Sequence, residues 1–141
     1  MGKLSILLCV LLLMGCGAEN SGPAGGGNAA SAPASSKEPE TPREVVDAFV
    51  VAMDSLDALI IRRLFGKGEQ ERMAEQFAEL KNVVDKIVIT ETSFEQSGEY
   101  WVFTYSQVAH MKDGKTDGDD RKIVYVVKED GKWRLSGYKP R

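Results

Sequence analysis

IVYVVKEDGKWRLSGY, residues 123–138, is the stretch that decides the fold class of this chain. Apolar and polar residues alternate on both sides of Asp130-Gly131, a dipeptide that is typical of a tight two-residue hairpin turn. Such a turn places four pairs of residues opposite each other: Lys128 with Trp133, Val126 with Leu135, Val127 with Arg134 and Tyr125 with Ser136. The pattern predicts that the chain ends in an antiparallel hairpin that carries apolar groups on both faces.

Two further strands are predicted upstream of this hairpin. Residues 83–94 are rich in β-branched side chains, residues 100–109 follow as a strand, and Ser97-Gly98 supplies a turn between them. With that turn we expect Phe94 opposite Trp101 and Thr92 opposite Phe103, and we expect Ile87 and Ile89 on the other face. Residues 112–120 are polar and predict a loop before the hairpin. The expected sheet is therefore a four-stranded antiparallel meander.

Three helices are predicted before the strands. TPREVVDAFVVAMDSLD, residues 41–57, opens with Thr41 as a cap, Pro42 at the first helical position and Glu44 to complete a capping box. Apolar residues then recur at three- and four-residue spacing, which gives one apolar face. Asp57 can cap a short second helix that runs to Phe65, and residues 69–81 predict a third helix.

Helices that precede an antiparallel meander predict the α+β class, with three N-terminal helices packed on one face of a curved four-stranded sheet. The opening helix and the closing hairpin resemble small exported members of the nuclear-transport-factor-2-like superfamily. That superfamily has a cone-shaped, cystatin-like fold and includes lumazine-binding-like families. The resemblance implies a pocket between the helices and the concave sheet, and often a dimer formed through the sheet. Enzymes of the superfamily use an Asp in that pocket, with or without a His.

The N-terminus predicts where the protein is located. Lys3 precedes an apolar run at residues 4–14, which has the length of a signal-peptide core and is too short to span a bilayer. Leu13-Met14-Gly15-Cys16 resembles the bacterial lipobox. The resemblance implies cleavage before Cys16, a diacylglycerol group on the Cys16 thiol and an acyl chain such as palmitate on its amine. We therefore expect residues 1–15 to be a lipoprotein signal peptide and Cys16 to anchor the protein in a membrane.

Residues 16–40 are expected to form a disordered tether. They are rich in Gly, Ala, Ser, Asn and Pro, and they contain almost no side chain that can bury apolar area. Gly17, rather than an aspartate, follows the lipidated cysteine. The lipoprotein resemblance then implies the outer membrane of the cell envelope, facing the periplasm or the cell surface.

Composition limits the functions of the domain at residues 41–141. Of the 18 basic and 21 acidic side chains in the whole sequence, two basic and three acidic ones precede residue 41, so the domain has a net charge near −2. This balance argues against nucleic acid as a partner. The domain contains no cysteine, because the last cysteine of the sequence is Cys16. Its stability must therefore come from its core and not from a disulfide.

Four aromatic residues are the candidates for a ligand pocket. Trp101, Phe103 and Tyr105 alternate along one predicted strand, and Tyr125 lies in another. They are able to line an apolar pocket with a polar tip, or to form a core packed against the helices.

Catalytic and metal-binding patterns are weak in this sequence. Asp47 and His110 are candidate acid–base groups, or else solvated side chains. Asp113, Asp117, Asp119 and Asp120 are spaced somewhat like a calcium loop, but Lys115 and Val124 fall where an EF-hand needs oxygen ligands. We expect no metal and no cofactor, and we read this segment as a solvated turn.

Three hypotheses follow from the sequence. The leading one is a lipid-anchored, non-enzymatic binding domain for a small apolar or aromatic ligand or a protein partner. The second is a pocket enzyme, an isomerase or hydrolase that uses Asp47 or His110. The third is a structural role in envelope assembly, through a homodimer or an envelope protein bound to the sheet.

Overall fold

The computed structural model describes residues 37–141, so the predicted signal peptide, Cys16 and most of the predicted tether lie outside the described residues. The predicted fold class is confirmed: three helices precede four antiparallel strands in the sheet order β1-β2-β3-β4. The elements are α1 Pro42–Ser55, α2 Ala58–Leu64, α3 Gln70–Leu80, β1 Val84–Ser97, β2 Tyr100–Met111, β3 Thr116–Glu129 and β4 Lys132–Ser136.

Helix α1 begins as the sequence predicts. The Thr41 hydroxyl accepts a hydrogen bond from the Glu44 backbone N–H at 3.2 Å, and the Glu44 carboxylate accepts one from the Thr41 N–H at 3.0 Å. These bonds satisfy two backbone donors that the first turn of a helix leaves without partners. Leu56, in a left-handed conformation with φ 52°, ends the helix.

The closing hairpin has the predicted register. The four expected pairs are all present between β3 and β4. Asp130 and Gly131 both have positive φ values, 51° and 79°, which is the geometry of a type I′ turn. This turn matches the right-handed twist of the strands, which is why two residues were enough to predict the pairing.

The predicted register of β1 with β2 is wrong, because the turn lies one residue later in the chain than predicted. Ser97 pairs with Tyr100, so the turn is centred on Gly98 and Glu99, and Phe94 lies opposite Phe103 instead of Trp101. Gly98 has φ +64°, a conformation that glycine adopts without steric cost.

A bulge between Glu91 and Ser93 also changes which face of β1 is buried. Because of it, Ile87 and Ile89 face the core, contrary to the expectation for these two residues. The predicted loop at residues 112–120 is shorter than expected, since β3 already begins at Thr116.

The core lies between the helices and one face of the sheet. Phe49 of α1 is at its centre and makes edge-on contacts with Phe65, Phe103 and Tyr105. A single parallel bridge joins Phe65, at the end of α2, to Leu135 of β4. The described helices therefore cover the face that carries the odd-numbered residues of β2, and no helix within residues 37–141 covers the other face.

Candidate functional site

Two of the four aromatic pocket candidates are part of the packed core. Phe103 and Tyr105 are fully buried, and their rings stack with centroids 5.1 Å apart. Both rings also contact Phe49, at 6.5 and 5.7 Å. The rings of Phe103 and Tyr105 therefore pack in the core, as one of the two alternatives from the sequence expects.

The other two aromatic candidates lie elsewhere. Trp101 is half-buried on the helix-facing side and stacks on Phe94, with ring centroids 4.7 Å apart. Tyr125 pairs with Val102 on the opposite face and makes an edge contact with Tyr100. The structure brings three of the four aromatic candidates to one side of the sheet and places Tyr125 on the other.

Asp47 and His110 do not converge on one site. Asp47 is half-buried on α1 and accepts a hydrogen bond of 3.0 Å from Arg43 Nε. His110 pairs with Lys86 and Thr116, two positions after Val108 on the face that the helices do not cover. Each is more buried than a fully solvated side chain, but an acid–base pair made of these two residues is not present.

A row of polar residues crosses the helix-facing side of the sheet. Tyr105 of β2 lies between Glu91 of β1 and Lys122 of β3, its direct neighbours in the two ladders. Two residues further along β2, Gln107 pairs with Asp119, after a bulge in β3. We call these five residues the polar cluster: Glu91, Tyr105, Gln107, Asp119 and Lys122.

The charges of the polar cluster are paired. Arg43 donates to Glu91 Oε1 at 3.0 Å, and its second terminal nitrogen lies 2.8 Å from Oε2 without good hydrogen-bond angles. Lys122 is buried and its Nζ lies 3.3 Å from an Asp119 oxygen. A buried charge is tolerated only when it is paired, so these ion pairs explain how Glu91 and Lys122 remain under the helices.

Two neutral groups of the cluster have no hydrogen-bond partner within the described part of the chain. They are the Tyr105 hydroxyl and the Gln107 Oε1 atom, and both residues are at least nine-tenths buried. Burial raises the pKa of Tyr105, and the negative charge of Asp119 raises it further. The hydroxyl therefore stays protonated and can donate a hydrogen bond, while the amide oxygen of Gln107 can accept one.

Sequence reasoning identified Tyr105 but missed the rest of the cluster. Alternate residues of a strand share one face, so a polar residue that continues an alternating apolar series is a signal for a buried polar group. Glu91 is such a residue, since it continues the series of Ile87 and Ile89. The bulges hide this signal, because they change the face that a given residue occupies.

A separate cleft opens between the helices and β4. Its volume is about 340 Å³, and it is lined by Lys37, Glu38, Pro39, Ala48, Ile60, Arg63, Leu64, Gln70 and Arg134. A second, more open cleft of about 370 Å³ lies beside Trp133 and the β3–β4 turn, and the same segment at residues 37–39 borders it.

Residues 37–141 contain no group of three or more His, Cys, Asp or Glu side chains arranged to hold a metal ion. The aspartates of the calcium-like segment are divided between the turn at Asp113 and strand β3. None of the described helices has the length and apolarity needed to cross a bilayer.

The three helices and the curved four-stranded sheet define a class, a small α+β domain with the nuclear-transport-factor-2-like fold. A designed protein of that fold has a TM-score of 0.52 and 17% identity, over 66% of this chain and 90% of that one.

Two natural proteins with similar structures both contain a SEC-C motif. The one from Rhodopseudomonas palustris has a TM-score of 0.54 and 11% identity, over 71% of this chain and 78% of that one. The one from Psychrobacter arcticus has a TM-score of 0.52 and 10% identity, over 72% of this chain and 61% of that one. No protein-family model and no curated protein matches this sequence. At these identities the similarity shows the fold alone.

Proposed function

We propose that this chain is a lipid-anchored envelope lipoprotein whose domain at residues 41–141 binds a small ligand without transforming it. The lipobox-like sequence that ends at Cys16 supports the anchor, and the composition of residues 16–40 supports a tether. The outer membrane is the proposed location, because Gly17 follows the lipidated cysteine. The binding site is the polar cluster on the helix-facing side of the sheet.

The unmet hydrogen-bonding capacity of Tyr105 and Gln107 is the observation that carries this proposal. Leaving one buried donor or acceptor without a partner costs about 1–3 kcal/mol, and folded proteins satisfy nearly all such groups. Two unpartnered groups on one strand face, two residues apart, therefore support the proposal of a bound molecule that restores hydrogen bonds there.

The surroundings of the cluster indicate the chemistry of the ligand. Phe49 and Phe103 beside Tyr105 favour an apolar or aromatic body, and the two free polar atoms require one acceptor and one donor on the ligand. Asp119 and Glu91 connect the cluster to solvent, since their side chains are 34% and 12% exposed. The proposed entry for a ligand lies beside Asp119, the more exposed of the two carboxylates.

Native mass spectrometry of the full-length protein extracted from its own cells tests the binding site. The expected result is a small molecule retained by the native chain, lost from Tyr105→Phe and retained by Tyr125→Phe. Tyr125→Phe is the matched control, because it removes a hydroxyl from the opposite face of the sheet. A native chain that retains no non-covalently bound molecule would contradict the proposal.

Metabolic labelling with an alkyne analogue of palmitate tests the anchor separately. We expect the native protein and Cys9→Ala to take up the label, since Cys9 lies in the segment removed with the signal peptide. Cys16→Ala should take up none and should leave the membrane fraction. Labelling that survives the loss of Cys16 would rule out the anchor.

A second candidate function is assembly through the uncovered face of the sheet. Val88 and Val108 are direct cross-strand partners there and are 38% and 39% exposed. Val102 and Tyr125 are neighbours on the same face and extend this apolar surface. A homodimer or an envelope protein would cover it, and sedimentation of residues 37–141 as a monomer would argue against the homodimer.

A further inference from the structure

Residues 37–40, which we call the strap, are held across the end of the β3–β4 hairpin by one carboxylate. Glu38 Oε2 accepts a hydrogen bond of 2.7 Å from Lys132 Nζ, and Oε1 accepts one from Arg134. These two cations lower the pKa of Glu38 to about 2. The strap thus places an anion of the chain itself at the rim of the 340 Å³ cleft.

The cleft under the strap has an apolar wall and a basic rim. Ala48, Ile60 and Leu64 form the wall, on α1 and α2. Three of the lining residues are cations, namely Lys37, Arg63 and Arg134, whereas Glu38 is the one acidic lining residue. The rim therefore has an excess of positive charge that an anion can neutralise.

Arg63 is the cation of this rim that makes no ion pair or hydrogen bond with the described residues. Arg134 is bound by Glu38, and Lys37 lies 2.8 Å from Glu40. Arg62, the next residue of α2, is paired with Glu71 and does not line the cleft. Arg63 is therefore free to bind an external anion beside an apolar wall.

We propose that the cleft binds an anionic amphiphile, a molecule with one carboxylate or phosphate group attached to an acyl chain. Arg63 binds the acidic group, the acyl chain lies on Ala48, Ile60 and Leu64, and Arg134 joins in binding when Glu38 releases it. The volume is at the lower end of the range that small-ligand sites occupy. Glu38 competes with the ligand for Arg134, so the strap limits the affinity of the site.

This site is distinct from the polar cluster, because the two share no residue. The failure of one proposal therefore leaves the other unaffected, and Tyr105→Phe is expected to leave amphiphile binding unchanged.

Calorimetric titration with decanoate tests the proposal on a chain of residues 16–141 that carries Cys16→Ala. This chain retains the whole described core, which lies between Val45 and Leu135. We expect saturable binding of decanoate and none of decanol, which lacks the charge. Loss of one charge-assisted contact in Arg63→Gln should weaken binding about tenfold. Glu38→Gln should strengthen binding, because it frees Arg134.

Arg62→Gln is the matched control, since it removes a neighbouring guanidinium that is paired with Glu71 and does not line the cleft. Equal weakening by Arg62→Gln and Arg63→Gln would overturn the proposal, as would binding of decanol with the affinity of decanoate or no binding of decanoate. Circular dichroism of each variant establishes that it is folded.

A second titration distinguishes the two sources of the acidic group. Decanoyl lysophosphatidic acid has a single acyl chain of the same length as decanoate. If it binds more tightly than decanoate and loses affinity in Arg63→Gln, it identifies a lipid phosphate as the ligand. Decanoate that binds more tightly identifies a free fatty acid. Both results support the site. If neither ligand binds, the proposal is overturned.

Discussion

At the scale of single residues, the hydroxyl of Tyr105 is a polar group in largely apolar surroundings. It is fully buried next to Phe49 and Phe103 and has no hydrogen-bond partner in the described part of the chain. A phenylalanine at this position would fill almost the same volume without the polar atom. The unpartnered hydroxyl is therefore the reason for proposing that Tyr105 serves a ligand and not the fold.

Tyr105→Phe in the ligand-free domain is therefore expected to leave the free energy of unfolding unchanged or to raise it by about 1 kcal/mol, because a buried unsatisfied group is removed. Urea denaturation followed by circular dichroism measures this change. Phe103→Ala is the contrasting variant and should cost about 3–5 kcal/mol through the cavity that it creates. A loss of stability in Tyr105→Phe comparable to that of Phe103→Ala would mean that the hydroxyl has a structural partner.

At the scale of elements, the start of α1 and the turn of the last hairpin are two local structures that depend on particular residues. The capping box at Thr41 and Glu44 fixes where α1 begins, and the positive φ values of Asp130 and Gly131 fix the pairing of β3 with β4. Both are satisfied by interactions within a few residues, so both can be tested without disturbing the core.

Thr41→Ala is expected to lower the free energy of unfolding by about 1 kcal/mol, because the Glu44 backbone N–H loses its acceptor. Thr41→Ser keeps the hydroxyl and should retain most of this stability. Chemical denaturation of the two variants side by side measures the difference. If both variants lose the same amount, the hydroxyl is not the cause.

Gly131→Ala is expected to cost about 1–2 kcal/mol, because an L-residue with a Cβ atom is strained at its φ of +79°. Gly68→Ala is the matched control: Gly68 has no atom within 4 Å of a Cβ built there and no positive φ. Its replacement should be neutral or slightly stabilising. Thermal unfolding of the two variants measures the difference. Equal stability of Gly131→Ala and Gly68→Ala would show that the positive φ of Gly131 does not require a glycine.

At the scale of the whole molecule, the strap is the last part of the predicted tether. One carboxylate, that of Glu38, holds it to the edge strand β4. Because the Glu38 pKa is about 2 in the folded protein and 4.5 ordinarily, docking of the strap is favoured above pH 4.5. The favourable contribution is lost as the pH falls towards 2. Salt also weakens this contact, since Glu38 and Lys132 are both about half exposed.

Acidification from pH 5 to pH 2 is therefore expected to release the strap. Trp133 borders the cleft next to the strap, so its fluorescence in a Trp101→Phe background reports the release. Glu38→Gln should show the released signal at every pH in this window, while circular dichroism reports whether the domain remains folded. A fluorescence transition that is identical in both proteins would show that Glu38 does not hold the strap.

The sequence could predict features that depend on contacts near each other along the chain. The helix starts, the α+β order and the β3–β4 register follow from capping residues, spacing and a turn dipeptide, all of which act over a few residues. The prediction of the β1–β2 register was wrong at the turn, which lies at Gly98-Glu99, and at the bulge beside Glu91. A bulge is favoured by packing across the sheet and has no local signal in the sequence.

The sequence by itself determined the three helices, the antiparallel meander, the near-neutral domain without cysteines and the lipobox-like motif. The tertiary structure decided which polar residues lie under the helices. It placed Glu91, Gln107 and Lys122 around Tyr105, turned Tyr125 to the other face and brought Arg63 to the cleft that Arg134 also lines. The physical reason is that burial and ion pairing depend on neighbours from distant parts of the chain. One inserted residue in a strand is enough to exchange the buried and the exposed face.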